Sequence, residues 1–275
     1  MTTPDAAFPS CSLCLFQPIC RNSEASVAND RRQRSLAPAS MLWRAGETVH
    51  RQGRPVLAVF PVRDGSAKSV FESPLGWRQV TAFAHPGEVL GLEDLDGQAH
   101  CTSAVAMQDT RCCVVPVETA RAHLLSAEYR EPMLSTLRRN AERERTLLVA
   151  IGSMKAAQRL AMLLLDLAGE QRRRGNAGAA LTLAMSRNDI ASYLGLTLET
   201  VSRLLARFAT VGLITVRQRQ LRIVDPAGLC SVYEDPERVS LRPPEPATDS
   251  PSASAPGQSR LDTARSIRTA GASVA

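Results

Sequence analysis

The chain has 275 residues and a formal net charge of +6, with 44% of its residues apolar and only 4% aromatic. That length suits two modest domains with tails and real cores, and the positive balance permits a polyanionic partner without requiring one. Scarce aromatics argue against stacking on single-stranded nucleic acid. The longest apolar run, Leu160–Leu165, stops at Asp166, well short of a membrane span. Asp5 and the absence of an apolar core segment near the start give no export signal, so a cytoplasmic protein without membrane contact is expected.

Seven cysteines in such a chain point to thiols, a metal or a cluster rather than structural disulfides. Residues 1–35 form an arm in which Cys11, Cys14 and Cys20 are spaced Cys-x2-Cys-x5-Cys. The short turn aims two thiolates at one centre and the Leu15–Ile19 loop returns a third, a set suited to soft metals or iron–sulfur clusters. Spacing does not separate iron from zinc. A fourth ligand has to come from Cys101, Cys112, Cys113 or Cys230. Residues 22–34 offer almost no apolar stripe, so no packed first helix is expected there.

Residues 36–125 change to short apolar segments, among them Val56–Phe60, Gln79–Phe83 and Cys112–Val115. Turn signals at Gly46, Gly53, Gly65, Gly87 and Gly97 break them up, which is the pattern of a small antiparallel barrel. His50, His85, His100 and His123 show no metal-ligand spacing and are read as surface or internally satisfied residues.

A dimerisation segment follows over 126–154, its helix starting at Pro132 as suits a first turn. Leu134, Leu137, Ala141, Glu144, Leu148 and Ile151 follow the 3-4-3-4-3 spacing of a two-stranded seam. A second phase, through Met133, Leu137, Asn140, Glu144, Leu147 and Ile151, is equally open. Both put Glu144 in the seam, where two-fold pairing brings like charges together at a cost. Glu144, Leu148 and Ile151 are therefore the candidate dimer switch, unless Glu144 turns outward to Arg145 of a second copy.

Residues 155–235 carry the clearest pattern. A helix over 155–174 buries Leu160, Leu163, Leu164 and Leu167, and Arg172–Arg174 ends it as a solvent-facing charge run. Ser186–Leu205 then reads as two short helices joined at Gly195-Leu196, with Thr197 capping the second. Val201, Leu204, Leu205 and Phe208 share its buried face. Glu199, Ser202 and Arg203 share the outer face: Arg suits guanine, Glu suits cytosine N4 and Ser suits either base in a major groove. Leu213–Val216 and Leu221–Val224 flank the basic turn Arg217–Gln220 as two strands of a wing. Residues 236–275, rich in Pro, Ser and Ala, should be a disordered tail.

The Ser186–Leu205 run resembles the DNA-binding domain of the CRP/FNR family of bacterial transcription regulators, and Glu199, Ser202 and Arg203 match the Glu-x-x-Ser-Arg triplet of its FNR branch. The barrel resembles that family's cyclic-nucleotide-binding roll, and the arm cysteines resemble those of the oxygen-sensing FNR branch. The likeness spans roughly residues 11–235. It implies an α+β fold: an antiparallel β-roll of the cyclic-nucleotide-binding jelly-roll type, a long dimerisation helix and a C-terminal winged helix-turn-helix. It also implies a fourth ligand just before Pro116-Val117-Glu118-Thr119, which points to Cys113 with Cys112 as the alternative. An oxygen-labile [4Fe–4S] cluster, a homodimer, double-stranded DNA bearing TTGAT-type inverted repeats and contact with RNA polymerase follow from the same likeness. A bound cyclic phosphate should need an Arg beside a Ser or Thr; residues 91–103 contain Glu93, Asp94 and Asp96 but no Arg, which speaks against it. The reading is an oxygen-responsive regulator and not an enzyme. The alternative is a CRP-like regulator that senses a small effector in the roll, with its cysteines on structural zinc. A thiol-based redox enzyme is a third reading, but no Cys-x-x-Cys marks a strand–helix junction.

Overall fold

The computed structural model describes residues 12, 14–17, 39–174, 181–218 and 220–235, without the side chains of Leu124 and Glu128. Cys11, Cys20, most of the arm and the whole expected tail lie outside these residues.

The first half is built from β1 (Ala39–Trp43), β2 (Thr48–His50), β3 (Ala58–Asp64), β4 (Ala67–Glu72), β5 (Arg78–Ala84), β6 (Val89–Leu90), β7 (Ser103–Ala106) and β8 (Thr110–Pro116). They pair antiparallel in two sheets, ordered β1-β8-β3-β6 and β2-β7-β4-β5. Alternation along a strand sends neighbours to opposite faces. Val62, Ala67, Ala84, Leu90, Ala104 and Cys112, drawn from both sheets, form the roll interior. Val59 and Val115, on the other face, join Phe16, Leu92, Leu95 and Met133 in a second core. Gly65 turns β3 into β4 at φ +85°, where an added Cβ would lie 2.5 Å from the Asp109 carbonyl oxygen, so only glycine fits.

Three helices follow: α1 (Val117–Leu125), α2 (Ala127–Ser153) and α3 (Ala156–Arg173). Helix α2 begins at Ala127 rather than Pro132, which lies inside it. The ring removes one ladder donor there, and the helix tolerates the loss about one and a half turns from its start. Met133 is buried in the second core, with Leu137 packed against it, and Leu147 packs on the C-terminal core. Leu134, Leu148 and Val149 remain 54%, 70% and 58% exposed. The chain itself thus takes up much of one seam phase and leaves the Leu134–Leu148 phase outward. Helix α1 is absent from the sequence expectations.

The second half comprises β9 (Leu181–Thr182), α4 (Arg187–Leu194), α5 (Leu198–Thr210), β10 (Ile214–Arg217), β11 (Gln220–Ile223) and α6 (Pro226–Glu234). Its sheet has the order β10-β11-β9, so a third short strand backs the two of the wing. Leu160, Leu164, Ile190, Leu194, Phe208 and Leu229 fill the core between α3 and the rest. Arg173 and Arg174 fold back on Glu170 instead of standing free in solvent. Among the described residues no helix is long and apolar enough to cross a membrane.

Two of the histidines are less ordinary than their spacing suggests. The His50 ring stacks on His100 at 3.9 Å between centroids and on Phe60 at 5.8 Å, and His100 Nδ1 lies 2.9 Å from Asp94 Oδ2. Burial, then the neighbouring His100, hold His50 down at about 4, against a weaker upward pull from Asp94. Between pH 4 and 6.5 the unfolded chain takes up a proton that folded His50 refuses. The stability present above pH 6.5 is therefore lost as pH falls towards 4, at up to ~1.4 kcal/mol per pH unit. Urea unfolding at pH 6.5 and 4.5 should show a smaller loss in His50→Gln than in the parent; equal losses would assign the effect elsewhere.

Candidate DNA-reading face and cysteine centre

Local chemistry sets the helix-turn-helix. The Asp189 amide donates to Ser186 Oγ at 3.1 Å while the Ser186 amide donates to Asp189 Oδ2 at 3.0 Å, a reciprocal cap on α4. Gly195 ends α4 in the left-handed region at φ +61°, and the Leu196 amide closes back on the Ala191 carbonyl at 2.9 Å. Thr197 Oγ1 then accepts from the Thr200 amide at 3.1 Å and starts α5. Val201, Leu205 and Phe208 are buried and Leu204 is half-buried; Glu199 and Arg203 are exposed, with Ser202 between them half-buried. The three candidate reading residues therefore share the open face of α5, near its N-terminus.

A fourth group reaches this face from outside α5. Arg187, the first residue of α4, is exposed, and its Nη1 donates to Ser202 Oγ at 3.4 Å. Its place on the preceding helix hid it from the periodicity of α5. The available hint was a cation in a first helical turn, where the helix dipole disfavours one.

Several contacts hold the reading unit on the roll. Lys68 of β4 pairs with Asp189, whose carboxyl burial pushes up but the Lys68 and Ser186 hydrogen bonds hold below the usual range. Ser192 accepts from the Val80 amide at 2.9 Å through Oγ, and from Gln79 through its carbonyl. Phe83 and Tyr193 rings meet at 5.0 Å. Arg143 of α2 donates to Glu88 Oε1 at 2.6 Å, lies 3.9 Å from Asp166 and pairs with Glu170, so one guanidinium joins roll, α2 and α3. Burial opposes ionisation of Glu88, yet Arg143 and His85 outweigh it and keep the carboxyl low.

Of the four proposed metal ligands, Cys14 and Cys113 are described. The Gln17 amide closes a turn on the Cys14 carbonyl at 3.0 Å, and Phe16, 1% exposed, plugs that turn into the core containing Val115. Phe16 was not singled out by the sequence, although Leu13, Leu15 and Phe16 give the arm an apolar patch. Strand alternation puts Cys113 on the Val115 face of β8, the side towards Phe16, and Cys112 in the roll interior. Burial, with Cys113 nearby, pushes the Cys112 thiol up to about 12, away from the thiolate a metal requires. Thiols on the arm-facing side fit a soft metal centre. Among the described residues no three His, Cys, Asp or Glu side chains gather closely enough to hold a metal.

A cavity of about 880 Å³ opens beside this turn, lined by Cys14, Leu15, Glu93, Leu137 and Glu144 among others. Burial raises the Glu93 carboxyl, with smaller contributions from Asp94 and Glu144. Glu144 itself is exposed and has no oppositely charged partner in ion-pair range among the described residues; Leu148 lies beside it on the outward stripe, and Ile151 is 39% exposed. Of the acids of residues 91–103, Asp94 is buried against His100.

Residues 41–126 match the family model described as the cyclic nucleotide-binding domain, and residues 158–232 that of the Crp-like helix-turn-helix domain. The transcriptional regulatory protein btr of Bordetella pertussis is 35% identical over 228 residues, covering 82% of this chain and 93% of that protein. The chain belongs to the CRP/FNR family of transcription regulators, in its FNR branch. The transcriptional activator protein anr of Pseudomonas aeruginosa is 32% identical over 225 residues, covering 81% of this chain and 91% of its own length. Among solved structures, FixK2 from Bradyrhizobium japonicum superposes with a TM-score of 0.65 at 30% identity, covering 71% of this chain and 97% of that one. The CRP/FNR-type roll and Crp-type helix-turn-helix support DNA-binding regulation, and the chain is a transcription regulator rather than an enzyme.

On this face, Arg203→Ala should weaken operator binding by ~1–3 kcal/mol and relax selection at one guanine. Titration against the operator and its single-base variants measures both. Unchanged affinity and selectivity would remove Arg203 from the reading face.

Proposed function

We propose that this regulator responds to oxygen through a [4Fe–4S] cluster held by the thiolates of Cys11, Cys14, Cys20 and Cys113, and that the cluster-bearing form pairs to bind TTGAT-type inverted repeats. The observation that carries the reading is the seating of the arm. Phe16, two residues from Cys14, is buried with Val115, two residues along β8 from Cys113. Full burial of such a side chain stabilises by roughly 1.5–3 kcal/mol, enough to bias where a short turn rests. Cys113 is favoured over Cys112 because its thiolate would form outside the roll interior. When bound, the cluster supplies a centre that oxygen converts towards [2Fe–2S].

The chain's own residues carry the rest. Cys14 and Leu15 share a cavity wall with Glu144, so an arm settled by four ligands adds contact beside the acid that burdens the seam. In the proposed homodimer Leu134, Leu148 and Ile151 cover one another while the two Glu144 carboxylates approach. Added packing worth a typical coupling of ~1–3 kcal/mol then tips a marginal balance towards pairing. Glu199, Ser202 and Arg203 of each copy read one half-site, with RNA polymerase as a further partner in the cytoplasm. The proposed division is arm 1–35, sensory roll 36–125, dimerisation helix 126–154, winged helix-turn-helix 155–235 and tail 236–275.

Purified without oxygen, the protein should be brown, contain iron and acid-labile sulfide, and bleach in air as its mass falls to that of a monomer. Cys113→Ser should abolish the colour and Cys112→Ser keep it. Colourless protein that carries zinc would sink the iron reading.

Glu144→Ala tests the seam separately. In air it should sediment as a dimer where the parent is a monomer. A strictly monomeric variant would count against Glu144 as the restraint.

A further inference from the structure

Helices α2 and α3 meet through an extended link, Met154 (φ −95°, ψ 147°) and Lys155 (φ −68°, ψ 156°). Away from the link, Arg143 ties α2 to α3 through Asp166 and Glu170; at the link itself the helices are free to swing unless something crosses it. Arg159, in the first turn of α3, crosses it in three directions. Its Nε donates to the Met154 carbonyl at 3.0 Å, its Nη2 to the Ile151 carbonyl at 2.7 Å, and its Nη1 to the Leu194 carbonyl at 3.1 Å, with the Gly195 carbonyl at 3.5 Å.

Those carbonyls end two helices: the last turn of α2 and its cap, and the end of α4 just before the turn into α5. Helix C-termini leave carbonyls without intrahelical partners and carry the negative end of the dipole, so both draw a cation. A guanidinium holds five donors in one fixed plane and can serve separate carbonyls at set angles, which an ammonium point charge cannot. The meeting is close: a Cβ on Gly195 would lie 3.7 Å from Arg159 Nη1 and 3.8 Å from Ile151 Cγ1. The ties through Lys68, Gln79 and Val80 reach the roll, whereas Arg159 joins α4 to the helix that lies on the dimer axis of the proposed assembly.

We infer that Arg159 is a positioning residue that fixes the pitch of α5 against α2 and thereby selects the spacing between two half-sites. The inference rests on the DNA-reading dimer proposed above. Each added base pair carries the second half-site about 3.4 Å along and about 36° around the duplex. A dimer with rigid pitch meets one spacing well, and a dimer with a slack link tolerates several.

The test uses full-length protein purified without oxygen and duplexes bearing inverted TTGAT half-sites at the preferred spacer, one base pair shorter, one longer and two longer, beside a duplex with a single half-site. The parent should lose roughly tenfold or more in affinity per base pair off the preferred spacer. Arg159→Gln should keep the dimer mass and single-half-site affinity but flatten the spacer series at least fivefold. Arg159→Lys, which retains charge without the planar fork, should fall between and decides the matter if Arg159→Gln does not fold. An unchanged spacer series in a folded, dimeric variant overturns the assignment. So does an equal loss on every duplex including the single half-site, which would make Arg159 a support of the reading unit alone. If the parent ignores TTGAT repeats altogether, the half-site reading fails, and the same spacer series on a palindrome selected from random duplexes still decides the role of Arg159.

Discussion

Helix α2 carries apolar side chains on two faces, and its own chain covers only one of them. Met133, Leu137 and Leu147 close the roll-side and C-terminal cores, while Leu134, Leu148 and Val149 are left to solvent. At 1.5 Å per residue its 27 residues span about 40 Å, so the open stripe is long and continuous with the link to α3. Leaving such residues in water forgoes about 25 cal/mol for every Å² of apolar surface. CRP/FNR regulators are typically dimers, and in the proposed dimer the matching stripe of a second copy would cover this one. Two demands therefore fall on one helix. It must hold roll and reading unit together within a chain, and it must stay available to another chain.

The arm solves a different problem. A short segment with three thiols cannot form a core of its own, and its polar continuation offers nothing to bury. Phe16 supplies the missing attachment by borrowing a core that the roll, α1 and α2 already need. The same core borders the face of β8 that bears Cys113. Cys112 illustrates the converse: one residue away, alternation delivers it to the roll interior, where a thiolate is costly. Two adjacent cysteines thus face opposite sides of β8 through the pleat alone.

What was legible in the sequence was local. Caps at Ser186 and Thr197, the left-handed Gly195 and the apolar spacing of α5 depend on neighbours within four positions, and each can be read along the chain. The roll announced itself through its turn glycines, and strand parity did the rest. What escaped depended on contacts across the fold. Pro132 reads as a helix start, but the packing of Tyr129 and Met133 carries the helix back to Ala127. His50 and His100 are far apart in sequence and meet because β2 pairs with β7, just before which His100 lies. Helix α6 had a readable start in Asp225-Pro226, with the Asp225 side chain accepting from Gly228, yet it is too short for periodicity to reveal. Arg159 looks like any surface cation until the carbonyls of Ile151, Met154 and Leu194 converge on it.

Arg143 and Glu144 show how one helix can couple its two faces. Successive residues on a helix point about 100° apart, so these neighbours must look in different directions. Arg143 turns inward to Glu88 on the roll and to Asp166 and Glu170 on α3. Glu144, which is exposed, lies between the open stripe and the cavity beside Cys14. A change in what surrounds Glu144 therefore acts on the same turn of helix that carries Arg143. Any rotation that relieved crowding between paired Glu144 carboxylates would pull the guanidinium against three acids, two of them on the helix that leads into the reading unit. Arg143, Glu88 and Glu170 are half-buried whereas Glu144 is exposed, and separating a half-buried pair costs more than shifting an exposed charge. In the proposed dimer, pressure at the seam would be met by separation of the copies sooner than by loss of the roll's grip on the reading helices.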